Sequence, residues 1–158
     1  VMNDVIEAGG DPTDNATPSG WTATTQALLT YAALTGSDRH RTAAEESLGL
    51  LVRLVGSHPR FAGWALAAAE AWLDGPREVA VVGDPADPAA AALRRTALRS
   101  TAPGSVLAAG PVGSDHPLLA GRLLVAGVSA AYVCRHFTCD SPLTDPGALA
   151  AALGARTP

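Results

Sequence analysis

A helical half followed by a small α/β half is the fold class this sequence predicts, and three observations predict it. Apolar residues recur at helical spacing between residues 18 and 74. After Pro76 they gather into short uninterrupted runs, as in strands buried on both faces. Asp87-Pro88 and Asp145-Pro146 follow two of those runs, each an N-cap and an N1 proline that start a helix. The predicted division is a helical segment over residues 1–76 and an α/β subdomain over 77–158.

The first helix is expected to begin near Pro18, capped by Thr17 or Ser19, and to stop at Gly36. Its stripe is Trp21, Thr25, Leu28 and Ala32. Ser37 or Asp38 caps a second helix with Ala44, Leu48, Leu51 and Val55 on one side, until Gly56 and Pro59 interrupt it. Phe61, Trp64, Ala65, Ala68 and Trp72 lie at i, i+3, i+4, i+7 and i+11 of a third helix, which Gly75-Pro76 ends. Short joints between helices of similar length predict helical hairpins. Glu78-Val79-Ala80-Val81-Val82 and Ser105-Val106-Leu107-Ala108-Ala109 are strand candidates around a helix running from Pro88 to about residue 100. Strand, helix and strand with short joints make a βαβ unit with parallel pairing. Residues 110–127, rich in Gly and Pro, read as a loop, residues 130–138 as a third strand, and Leu149 and Leu153 as the sheet-facing side of a last helix. The sheet is thus expected to have three strands and to be mainly parallel.

An apolar content of 47% excludes disorder. The net charge of −4 argues against a nucleic-acid partner, and all eleven basic residues are arginine. No apolar run approaches the roughly 20 residues of a membrane span. The N-terminus lacks a basic stretch followed by an apolar one, so no signal peptide is visible. A cytoplasmic location is the resulting expectation. The chain opens on Val1 without an initiator Met, which reads as a cut through a longer polypeptide or a truncated reading frame.

Both cysteines lie in Ala131-Tyr132-Val133-Cys134-Arg135-His136-Phe137-Thr138-Cys139. In an unbroken strand Cys134 and Cys139 point to opposite faces, roughly 16 Å apart. A disulfide needs Cα atoms within about 7 Å, so that strand could not close the pair. Two cysteines cannot complete a four-ligand zinc site, and His40, His58 and His116 are too scattered to help, so no metal and no cofactor are expected. A thiolate nucleophile needs a nearby cation, and Arg135 would face away from Cys134. The alternative is a buried cysteine acting as a small hydrophobe. Asp14, Asn15 and Ser19 precede a helix start, where they can meet a hydroxylated ligand or simply cap the backbone. Gly83-Asp84-Pro85 follows the first strand but matches no phosphate-binding pattern, and reads as a turn. Glu45, Glu46 and Glu70 do not form a convincing acid/base pair.

Asp14-Asn15-Ala16-Thr17-Pro18-Ser19-Gly20, Gly75-Pro76-Arg77-Glu78-Val79, the two cysteine-bearing pieces Ala131-Tyr132-Val133-Cys134 and Phe137-Thr138-Cys139, and Thr144-Asp145-Pro146 occur in this order. In these segments, over residues 11–153, the chain resembles the C-terminal part of the bacterial thioredoxin-domain-containing proteins related to spermatogenesis-associated protein 20. The resemblance implies the last three helices of an (α/α)6 toroid of the six-hairpin glycosidase type, similar to N-acylglucosamine 2-epimerases, followed by an α/β piece. It implies a partner in the remainder of a longer polypeptide and a possible carbohydrate ligand at Asp14, Asn15, Ser19 and Trp21. It makes Cys134 and Cys139 a family signature. Trp21-Thr22 stand where the family pattern has Asn-Ser, so an indole replaces an amide that could meet a sugar. The family's Cys-x-x-Cys motif does not occur in this chain. The expected function is therefore that of a C-terminal fragment of such a protein, without a complete catalytic site. A non-catalytic interaction module and a thiol-dependent enzyme are the alternatives.

Overall fold

The computed structural model describes residues 12–154. Helices α1 (Gly20–Thr35), α2 (Asp38–Ser57) and α3 (Gly63–Asp74) make the helical half, with a 3-10 turn at Pro59–Phe61. Strand β1 (Glu78–Val82), α4 (Pro88–Ala97), β2 (Val106–Gly110), β3 (Ala130–Arg135), β4 (Thr138–Cys139) and α5 (Pro146–Leu153) make the α/β half. Among the described residues no helix is long and apolar enough to cross a membrane.

The helix boundaries follow local chemistry. Ser19 Oγ accepts from the Thr22 amide at the start of α1, and Gly36 ends that helix in the left-handed region at φ 71°. A Cβ on Gly36 would also stand 3.2 Å from the Phe137 ring. Asp87 and Asp145 accept from the Ala89 and Ala148 amides, each followed by a proline at N1.

Trp21, Leu29, Ala44, Leu48, Leu51, Ala65 and Ala68 form the core of the helical half. The expected stripe of α1 is turned by one residue: Leu29 and Ala33 are buried where Leu28 and Ala32 were expected. Helix α3 buries Ala65, Ala68 and Ala71, while Trp64 stays 43% exposed. Small side chains let α3 approach its neighbours closely, and the large aromatics are left at the margin.

The sheet corrects the expected count and direction. It has four strands in the order β2-β1-β3-β4. β1 and β2 are parallel, as the βαβ unit requires. β3 runs antiparallel to β1, and β4 antiparallel to β3. The reason lies in the connection: β2 ends at Gly110 beside Val82, and Ala130 also pairs with Val82. The intervening loop thus stays at one end of the sheet instead of crossing it. That loop buries Leu118 and Leu119. Val79 and Val81 pack on one side with Leu93, Val133, Leu149 and Leu153. Ala80 and Val82 face Val106, Leu118, Leu119 and Ala33 of α1 on the other.

Candidate functional site

The expected third strand does not run unbroken through residue 138. His136 and Phe137 both take positive φ, 50° and 60°. A two-residue hairpin loop with positive φ at both positions matches the twist of the strands it joins. The turn brings Thr138 opposite Arg135 and Cys139 opposite Cys134. The cysteines are disulfide-bonded, with Cα atoms 3.9 Å apart. This overturns the expectation that the pair cannot close, which held only for a straight strand.

Three tertiary contacts hold a turn that two non-glycine residues would otherwise disfavour. Glu78 Oε2 accepts from the Phe137 amide at 2.7 Å. Arg41 Nη1 donates to His136 Nδ1 at 3.1 Å. The Phe137 ring lies over Gly36. Glu78 sits opposite Cys134, and Cys134 opposite Cys139, so a carboxyl and two sulfurs form one row across β1, β3 and β4. Residues opposite each other in a ladder share a face.

Glu78 is 2% exposed. Burial pushes its carboxyl above the usual range; the Phe137 amide and the charges of His136 and Arg122 offset that only in part. A cleft of about 300 Å³ opens beside it between the two halves. Leu29, Ala33, Trp72 and Phe137 supply apolar walls, and Asp38, Arg41, Glu78 and His136 the polar groups. Such a mix of apolar wall and few convergent polar groups suits a small ligand.

Arg122, from the loop after β2, reaches both sulfurs. Its Nη2 donates to Cys134 Sγ at 3.3 Å and to Cys139 Sγ at 2.9 Å. The guanidinium also lies 5.9 Å from the centre of the Tyr132 ring. Tyr132 in turn donates to the Leu123 carbonyl at 2.8 Å and accepts from its amide, which fixes the loop beside the sheet. Burial pulls the Arg122 pKa down, and the Glu78 charge resists this. Its Nε is buried without a partner. Arg135 instead faces Asp74, 3.7 Å away.

The four residues expected at the start of the first helix lie there, and none of them lines the cleft beside Glu78. Asp14 is 4% exposed; its Oδ1 accepts from the Ser19 amide at 2.9 Å, and its Oδ2 from the Trp64 and Ala65 amides at 2.9 and 3.0 Å. One carboxylate thus ties the lead of α1 to the start of α3. Burial pushes its pKa up, but the amides of Ser19, Ala65 and Trp64 and the Thr22 hydroxyl outweigh this and hold it below the usual value. Ser19 caps α1. Trp21 is buried, its indole N–H 3.5 Å from the Ser47 carbonyl. Asn15 alone of the four is exposed, beside Arg60 and Trp64.

Among the described residues no group of three His, Cys, Asp or Glu could hold a metal ion. Sequence reasoning did not single out Glu78, Arg41 or Arg122. A charge opening an otherwise apolar strand was a readable signal for Glu78, and a lone cation in a Gly-rich loop a weaker one for Arg122. No protein-family model, curated protein or solved structure matches this chain.

Proposed function

We propose that this chain is the C-terminal part of a thioredoxin-domain-containing protein of the six-hairpin glycosidase-like type. In this reading α1–α3 are the last helices of an (α/α)6 toroid, the α/β half caps it, and the chain holds no complete catalytic site of its own. The observation that carries the reading is the second apolar side of α3. Leu66 and Leu73, seven residues apart, share the side turned away from Ala65, Ala68 and Ala71, and Leu73 is 76% exposed. Val52 on α2 is exposed as well. Helices of a toroid are covered on both sides, and exposed apolar faces mark such missing neighbours. The ordered segments from Asp14 to Pro146 quoted above support the same assignment.

A carbohydrate bound by the assembled toroid would find only Asn15 free among the four residues at the start of α1, since Asp14, Ser19 and Trp21 are engaged within the fold. Sedimentation and hydrophobic-dye binding of the chain test the reading. Self-association or strong dye fluorescence is expected, and Leu66→Lys with Leu73→Lys should diminish it. A dye-silent monomer would overturn the proposal. Titration with hexoses and N-acetylhexosamines tests the carbohydrate assignment separately.

A further inference from the structure

The geometry points to Cys134–Cys139 as an exchangeable disulfide, a site for thiol–disulfide exchange with a dithiol reductant in which Arg122 holds the released thiolate. This inference is independent of the toroid reading. Three observations converge on it. First, one guanidinium nitrogen serves both sulfurs, at 3.3 and 2.9 Å. Disulfide sulfur is a weak acceptor, whereas a thiolate carries a full charge, so the hydrogen bonds strengthen when the bond opens. Arg122 forms no direct carboxylate ion pair among the described residues; the Glu78 charge acts on it from beyond ion-pair distance. A thiolate in hydrogen-bond contact compensates the partly buried cation more directly.

Second, the two sulfurs are unequally placed. Cys134 is 1% exposed, while Cys139 is partly open to solvent beside Thr138 and Asp140. An incoming thiolate therefore meets Cys139. Third, the hairpin does not depend on the bond. The β1–β3 ladder, the Glu78–Phe137 contact and the Arg41–His136 contact hold the turn on their own. A cross-link between residues five apart constrains the unfolded chain less than a long-range one does, so the bond is a minor part of what holds the fold.

The titratable and charged groups near the sulfurs are Glu78 from β1, Arg122 from the loop, and Arg135, His136 and Asp140 in or beside the hairpin. Glu78 and Asp140 are the carboxyls that oppose a thiolate there. The exchange is balanced as follows. A thiolate of the dithiol attacks Cys139 Sγ, a new S–S bond forms, and Cys134 Sγ departs with the electron pair beside Arg122. The second thiol of the reductant loses its proton and attacks the reductant's own sulfur in the mixed disulfide. Cys139 leaves as a thiolate, and the reductant becomes a cyclic disulfide. Two electrons pass to the protein, and the two thiol protons go to solvent or to the new thiols.

The test equilibrates the full chain without denaturant in buffers of reduced and oxidised dithiothreitol, with alkylation and mass counting of free thiols. Reversible reduction with retained near-ultraviolet dichroism is expected. Arg122→Gln should need a reduced-to-oxidised ratio about tenfold higher, as expected for losing a charge-assisted hydrogen bond, and Arg122→Lys should recover part of the difference. Brief exposure to reduced glutathione followed by acid quenching should place the adduct on Cys139. Equal ratios for wild type, Gln and Lys, an adduct on Cys134, or reduction only in denaturant would each overturn the inference. Should the Gln variant fail to fold, adduct mapping and the native-state reduction of the wild type decide the question.

Discussion

Replacing Asp14 with alanine removes one carboxylate and leaves three backbone donors without a partner. Those donors are the amides of Ser19, Trp64 and Ala65, all within 3.0 Å of its oxygens. A hydrogen bond to a charged group contributes about 1.5–3 kcal/mol, but three on one carboxylate are not additive, and a single helix cap is worth at most about 2 kcal/mol. Water can reach part of the vacated space around Trp64, which lies at the margin. A loss of about 3 kcal/mol is the resulting expectation. Urea unfolding followed by far-ultraviolet dichroism should show it as a lower midpoint with an unchanged slope. Asp14→Asn keeps one acceptor oxygen and should lose less. The pH dependence has a definite sign. The folded carboxyl titrates below its ordinary value, so the unfolded chain binds more protons and stability rises with pH in that window. The Asp14 contribution is therefore complete above the ordinary aspartate pKa and disappears as pH falls through the lower folded one. A loss below about 1 kcal/mol for the alanine variant, or an unaltered acid limb, would refute the clasp.

Three further outcomes follow from the fold. Gly83→Ala places a Cβ 2.1 Å from Ser129 Oγ; Ser129 must leave Asp87, its 2.5 Å acceptor, and a loss of about 1–3 kcal/mol is expected in chemical denaturation. Glu78→Gln keeps an acceptor for the Phe137 amide and removes the buried charge. The folded Glu78 carboxyl titrates above its ordinary value, so its contribution is present below that value and is lost as pH rises through the folded one; the Gln variant should unfold with a flatter dependence there, and an unchanged profile would count against a buried Glu78. Thr25→Val breaks the 2.5 Å contact with the Ser47 hydroxyl, and should cost about 1–2 kcal/mol by leaving that hydroxyl unpaired.

Much of the fold was readable because its signals are local. Ser19, Gly36, Asp87-Pro88 and Asp145-Pro146 mark helix ends through contacts within a few residues, and those need no partner from elsewhere in the chain. The sheet was less legible. Whether β3 would run with β1 or against it depended on where a Gly- and Pro-rich loop came to rest, and that loop is tied to the sheet by Leu118 and Leu119, whose burial there no local pattern announces. The stripe of α3 was legible only in part: Ala65 and Ala68 are buried as expected, whereas Trp64 and Phe61 are exposed, since periodicity gives a stripe but not which of its side chains are small enough to pack closely.

The candidate site was hidden most completely, and its position shows why. A two-residue turn at His136 and Phe137 carries no Gly, Asn or Asp, the residues that announce such turns. Positive φ is tolerated there because Glu78, Arg41 and Gly36, from three other elements, each take one contact with the turn. Those contacts are also the ones that line the cleft. The same fold event therefore closes the hairpin, sets Cys139 against Cys134, and aligns both with Glu78 across the sheet, within reach of Arg122. Turn, disulfide and cleft form a single unit, so a variant that frees Phe137 from Glu78 should loosen all three together.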